Sequence, residues 1–134
     1  MITYDLEDYA GVQRDNDLVR DLLLRIDSDQ QLDGSKWVHY GPADLGMADR
    51  TETEIGYHLN MLVEEGFVKG TRGIAGGIPM ISKLTWKGHD FIDNIRDPGI
   101  WSKTKKRVEG LSGVAIGIMA SIAQAEVKKH LGLP

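Results

Sequence analysis

Residues 51–86, "TETEIGYHLNMLVEEGFVKGTRGIAGGIPMISKLTW", decide how the rest of this chain is read. The stretch opens like a helix. Thr51 is a natural N-cap and Glu54 follows three residues on, the spacing of a capping box in which each residue satisfies a backbone N–H of the other. Ile55, Leu59 and Leu62 then line one face at helical spacing, with Met61 and Val63 beside it. Gly66 supplies a left-handed stop. Past it the pattern changes. Residues 67–71 and 80–85 read as two strands, and the glycine-rich "RGIAGGIP" between them (72–79) reads as a hairpin tip.

Working outward from this helix and hairpin, "RDNDLVRDLLLRIDSD" (14–29) reads as a helix. Leu18, Leu22 and Ile26 recur every four residues, and Val19, Leu23 and Leu24 widen the stripe. Asp15 or Asn16 can cap its start, and Asp17 suits the positive end of its dipole. "KWVHY" (36–40) is aromatic and β-branched, a strand, and "GPADLGMADR" (41–50) has room for one helical turn at most. Downstream, Thr85 caps a helix over 86–96 with Phe91, Ile92 and Ile95 inward. Asp97-Pro98 restarts helical structure, because proline is favoured at a first helical position. "IWSKTKKRVE" (100–109) follows, then a last helix over 112–131 stopped by Gly132.

The order is helix, short strand, helix, strand, glycine-rich loop, strand, helices. It predicts an α+β fold, mainly α: a winged helix-turn-helix with a β-hairpin wing and extra C-terminal helices. The expected division is a lead-in over 1–13, a winged-helix domain over 14–96 and a C-terminal helical extension over 97–134 that serves packing or dimerisation.

Three segments carry a resemblance. "RDNDLVRDLLLRID" (14–27), "TEIGYHLNMLVEEGFV" (53–68) and "LTWKGHDFIDNIRDPGIWSKTKK" (84–106) together resemble a family of small phage and prophage winged-helix proteins catalogued as a domain of unknown function. The resemblance runs from about Arg14 to Lys106, with a weaker echo in "LGLP" (131–134). It implies a winged-helix fold and a bacterial or phage context. It implies no activity, so it assigns no catalytic or binding residue. The family usually starts almost directly with the 14–27 helix; here about thirteen residues precede it, and the resemblance assigns them no role.

Composition bounds the function classes. The chain has 134 residues and no cysteine, which excludes disulfides and thiolate metal sites and fits a cytoplasmic protein. The acidic start "MITYDLEDYAGVQ" is not a secretory signal. The longest uncharged run, 110–125, spans roughly 24 Å as a helix, short of the roughly 30 Å hydrocarbon core, so no membrane partner is expected. The net charge of −4 hides an asymmetry: residues 1–66 hold five Lys/Arg against fifteen Asp/Glu, and residues 67–134 hold eleven against five. Either the surface has two faces, or the basic half neutralises the acidic half within the molecule.

Catalysis finds little support. His89 and Asp90 are neighbours, about 100° apart around a helix, and form no dyad; His89 instead meets Asp93 at i+4. His58 reads as a partly buried helix residue whose ring bonds a carbonyl or carboxylate. The four histidines, His39, His58, His89 and His130, show no zinc spacing, and no nucleophile elbow, Walker loop or dinucleotide fingerprint is present. The expectation is a protein that is not an enzyme and takes no metal or cofactor. Trp86 and Trp101 could offer base-stacking platforms, but packing is the favoured reading for both.

Duplex DNA is the leading partner. In a winged helix the helix before the wing enters the major groove. Here that helix shows Glu52, Thr53, Glu54, His58, Asn60, Glu64 and Glu65 on its expected exposed side and no Lys or Arg, against the need to neutralise phosphates. Arg50 precedes it, and Asn60 could read an adenine edge. The remaining candidates are Lys69, Arg72 and Lys83 of the wing, Lys87 just beyond, and the cluster Lys103, Lys105, Lys106 and Arg107; the cluster reads equally as a solvated helix face. The alternative is an acidic protein–protein adaptor or host-directed inhibitor. The apolar last helix must be covered either by its own domain or by a second copy, and a homodimer would form through Gly113, Gly117 and Ser121, small residues four apart, with Ile118 and Ile122. Its two wings would suit palindromic DNA.

Overall fold

A computed structural model describes residues 11–73, 77–111 and 113–134. Among them it contains five helices and three strands: α1 (Asn16–Ser28), β1 (Asp33–Val38), α2 (Glu52–Glu64), β2 (Val68–Gly70), β3 (Ile81–Leu84), α3 (Trp86–Ile95), α4 (Pro98–Arg107) and α5 (Ile116–His130). The strands form one antiparallel sheet in the order β1-β3-β2. The α+β, mainly helical class expected from the sequence is the class observed.

The caps fall where the sequence puts them. Asp15 accepts from the Leu18 N–H at the start of α1. Thr51 and Glu54 form the full capping box on α2, Thr85 caps α3, and Asp97 caps α4 with Pro98 in its first turn. At the end of α2 the Gly66 N–H donates to the Val63 carbonyl and the Phe67 N–H to the Leu62 carbonyl, with Gly66 at φ 83°. This is the paired C-terminal closure that only a left-handed residue permits without strain. Residues 41–47 make a single turn, with the Met47 N–H on the Pro42 carbonyl, and tuck Leu45 into the core.

Several boundaries differ from expectation. The first strand starts at Asp33 rather than Lys36 and ends at Val38, because Tyr40 turns inward and its hydroxyl bonds Asp29. The hairpin strands are shorter than 67–71 and 80–85, since Phe67 and Thr85 are taken up by helix caps. Of the hairpin tip, residues 74–76 lie outside the described residues, as do residues 1–10 of the lead-in and Ser112. The last helix starts at Ile116, not at 112: residues 113–115 are non-helical, and Arg14 donates to the Val114 carbonyl there at 2.6 Å.

One buried cluster holds these elements together. Leu18, Leu22, Leu23 and Ile26 of α1 meet Ile55, Leu59 and Leu62 of α2, Phe67, Ile81 and Leu84 of the hairpin, and Phe91, Ile92 and Ile95 of α3. Trp101 of α4 and Ile116, Met119 and Ala123 of α5 belong to the same cluster, so the C-terminal helices pack on the core. Gly88 sets how closely α3 meets the hairpin. A Cβ there would lie 2.0 Å from the Phe67 carbonyl oxygen, so no larger residue fits without moving the helix.

Candidate nucleic-acid interface

Of the exposed side expected for α2, Glu52, Thr53, Glu64 and Glu65 are exposed and Glu54 is half-buried, but His58 and Asn60 are interior. Asn60 is 1% exposed. Its amide donates to the Gly56 carbonyl at 2.7 Å and the Gly77 carbonyl at 3.0 Å, and its carbonyl accepts from the Gly73 N–H at 3.1 Å. Asn60 therefore ties the two shoulders of the hairpin tip to α2, and the expectation that it reads a base edge is overturned by its burial. Gly73 is the matching half of this clamp. A Cβ there would sit 1.9 Å from the Gly77 carbonyl oxygen and 2.9 Å from the Asn60 amide nitrogen.

His58 is also buried, beyond the partial burial expected. Its Nε2 accepts from the Asp15 N–H at 2.8 Å, and its Nδ1 lies 2.7 Å from the Glu54 carbonyl oxygen. Since Nε2 is an acceptor, the proton sits on Nδ1, and the ring is neutral and bonded at both nitrogens. Burial pushes its pKa below the ordinary histidine range against the pull of the Glu54 carbonyl and the Asp15 carboxylate. Arg50 closes this cluster with ion pairs to Asp15 at 2.9 Å and Glu54 at 3.3 Å. Its charge serves the junction of α1 and α2.

The basic residues thus divide into two groups. Lys87 donates to the Glu65 carbonyl at 3.0 Å, capping the C-terminal end of α2, and its ammonium lies 4.5 Å from the Phe67 ring centroid. Lys105 pairs with Asp17 on α1 at 2.9 Å, and the Trp101 indole N–H reaches the same oxygen at 2.8 Å. Partial burial opposes ionisation of Asp17, but these two donors more than offset it and hold the carboxyl below its ordinary range. Arg107 pairs with the nearly buried Glu126 of α5 at 2.8 Å. By contrast Lys69, Arg72, Lys83, Lys103 and Lys106 are exposed and form no ion pair among the described residues.

Two of these open cations do not stand alone. Lys103, Lys106 and Arg107 of α4 and Lys129 and His130 of α5 line one open groove of about 450 Å³, whose sole acid is Glu126. Lys129 and His130 were missed in the sequence. Their signal was the basic last turn of the last helix, which also suits the helix dipole and so drew no attention.

The tryptophans split as well. Trp101 is 5% exposed and packs as expected, whereas Trp86 is 84% exposed, which overturns the packing read for it: its indole leads α3 outward while Gly88, Phe91 and Ile92 face the core. His89 does not pair with Asp93. Arg96 takes Asp93 at 3.1 Å, and His89 Nδ1 stands 3.7 Å from Asp27 of α1. Arg96 bridges to Asp27 as well, at 3.0 Å, so basic residues of the second half do neutralise part of the acidic first half.

The dimer residues are scattered by the helix start. Gly113 lies outside α5, so the expected row of three small residues on one helix is not formed. Gly117 and Ser121 line a groove toward Asp90 and Asn94 of α3. Ile118 is 54% exposed and Ile122 half-buried on the outer side. No helix among the described residues is long and apolar enough to cross a membrane. No group of three or more described His, Asp or Glu residues is arranged to hold a metal ion.

The profile of the family described as Hypothetical protein (DUF2513), a domain of unknown function, matches residues 13–115, and the chain belongs to that family. The match ends just before α5. An uncharacterized protein of Haemophilus influenzae is 24% identical over 123 residues, covering 90% of this chain and 99% of its own length. No solved structure matches the chain.

Proposed function

We propose that this is a noncatalytic cytoplasmic protein of the winged-helix type, of phage or prophage origin, that binds duplex DNA in regulation. Contact is made through phosphates at the α4–α5 end and the hairpin strands, not through α2 in the major groove. One observation carries the reading: five cationic or titratable basic side chains from two helices converge on a groove whose single carboxylate is already taken by Arg107. Affinity for duplex DNA rests chiefly on such phosphate contacts. The helix before the hairpin supports no groove reading, because its one candidate base reader is buried and its exposed end carries Glu64 and Glu65. The hairpin cations Lys69, Arg72 and Lys83 extend the same backbone-directed chemistry.

Titration of labelled duplex DNA at about 50 mM and about 200 mM salt tests this. With about four phosphates neutralised, affinity falls on the order of a hundredfold across that range. The double variant Lys103→Glu/Lys106→Glu removes most of the binding, whereas Lys105→Ala, whose charge is spent on Asp17, costs less. Duplex binding that ignores salt, or none at all, overturns the reading in favour of the acidic adaptor or host-directed inhibitor. That alternative draws on Glu64 and Glu65, acids at the negative end of α2 with no basic residue in its last turn. A second copy docked on Ile118 and Ile122 would place two cationic grooves on one assembly. Light scattering is expected to give a dimer mass that Ile118→Asp reduces to a monomer.

A further inference from the structure

We propose a second nucleic-acid surface, distinct from the α4–α5 groove: the outward face of the sheet takes an unpaired strand, with a base stacked on Trp37 and phosphates on Lys69 and Lys83. The inner face of the sheet is used up by the core, through Val68, Ile81 and Leu84. The outer face is open: β1 is exposed over residues 33–37, and Lys69 and Lys83 are exposed beside it. Trp37 is 45% exposed there, although burying an indole is strongly favourable.

The side chains on this face are arranged together. The Lys69 ammonium stands 5.8 Å from the Trp37 ring centroid, so residues of the two outer strands meet across the central one. Lys83, on that central strand, is the register partner of Lys69. Its stem is guided along β1, where a Cβ on Gly34 would lie 3.1 Å from the Lys83 Cδ. Like charges directly opposite on paired strands are destabilising. Asp33 faces Lys83 in register, but its Oδ1 accepts from the Ser35 N–H and hydroxyl, and it forms no ion pair with either lysine. The free protein therefore keeps an electrostatic cost on this face that an anion would remove.

An open indole flanked by two unpaired ammonium groups fits a ligand with a flat aromatic face next to negative charge. A single-stranded nucleotide chain offers both at every step, and stacking on an aromatic side chain is tolerant of sequence. A duplex keeps its bases stacked on one another and offers Trp37 no ring. The surface is thus selective for unpaired strand, and it stands whether or not the α4–α5 groove binds duplex.

Fluorescence anisotropy with a labelled oligo(dT) of about a dozen nucleotides, and with a duplex of equal length, separates the two sites. The full chain is used throughout. Trp37→Ala is expected to weaken oligo(dT) binding by roughly 5- to 150-fold, the range of one lost base stack. Trp37→Phe retains most of the affinity, and Lys69→Ala/Lys83→Ala lowers its salt dependence; duplex affinity stays within about twofold for both Trp37 variants, whereas the double lysine variant weakens it as well. Unchanged thermal midpoints establish that these exposed substitutions leave the fold intact. The proposal is overturned if oligo(dT) does not bind, if Trp37→Ala binds it as the wild type does, or if only Lys103→Glu/Lys106→Glu abolishes it. Binding of an acidic aromatic peptide in place of oligo(dT) overturns it in favour of a protein partner.

Discussion

On the inner side of α2 the polar groups are spent inward; across the α4–α5 end and the outer sheet face several cations are left toward solvent. In the first region His58 is bonded at both ring nitrogens, Asn60 makes three bonds to backbone, and Arg50 holds two carboxylates. In the second, Lys103, Lys106, Lys69 and Lys83 have no carboxylate partner among the described residues. A polar side chain in the interior must be paired or it costs stability, while a charge at the surface costs little to leave open. The first pattern builds a fold and the second offers contact. Position before a hairpin therefore does not by itself leave a helix's polar side chains open.

The contrast can be broken most forcefully at the centre of α2. Leu59→Ala is expected to cost about 2–5 kcal/mol in a denaturant titration, since the side chain is fully buried. A loss under about 1 kcal/mol would mean that α2 is less interior than described. Next comes Asn60→Ala, which strands the Gly73 N–H and the Gly77 carbonyl and should cost about 1–3 kcal/mol. Hydrogen exchange at Gly73 is the specific readout, and it should quicken more than exchange in α4.

The pH dependence of stability comes third. The native His58 resists protonation, so below the ordinary value near 6.5 the unfolded chain takes up a proton that the folded chain refuses. Stability is therefore lost as pH falls, by up to about 1.4 kcal/mol per pH unit until the lowered native value is reached. Urea midpoints at about pH 7.5 and about pH 5.5 measure this, and His58→Gln should flatten the difference. The carboxylates held low by their partners, such as Asp15 and Asp17, lose their contribution only at more acidic pH. The smallest effect belongs to the open cations. Lys103→Ala and Lys106→Ala should each change stability by less than about 0.5 kcal/mol while weakening duplex binding. A large loss of stability at either would show that the α4–α5 groove is structural.

Much of the fold was legible because its signals are local. Helix caps, the apolar stripe of α1, the stop at Gly66 and the restart at Pro98 each depend on residues within one turn of one another. The candidate site was less legible. Lys105 and Lys103 are two residues apart and the same residue type, but Asp17, 88 residues before Lys105, is what removes one of them from the open surface. Trp86 and Trp101 are alike in sequence context, and only the direction each leads from its helix sets one in water and the other against Asp17. Lys129 joined Lys103 and Lys106 because α5 packs along α4.

The sequence by itself determined the element order, the caps and the apolar faces, because helix and strand signals are written in neighbours. Tertiary structure alone decided which polar residues are consumed and which stay open. Pairing across the core depends on distances between residues far apart in the chain, and no local pattern encodes them.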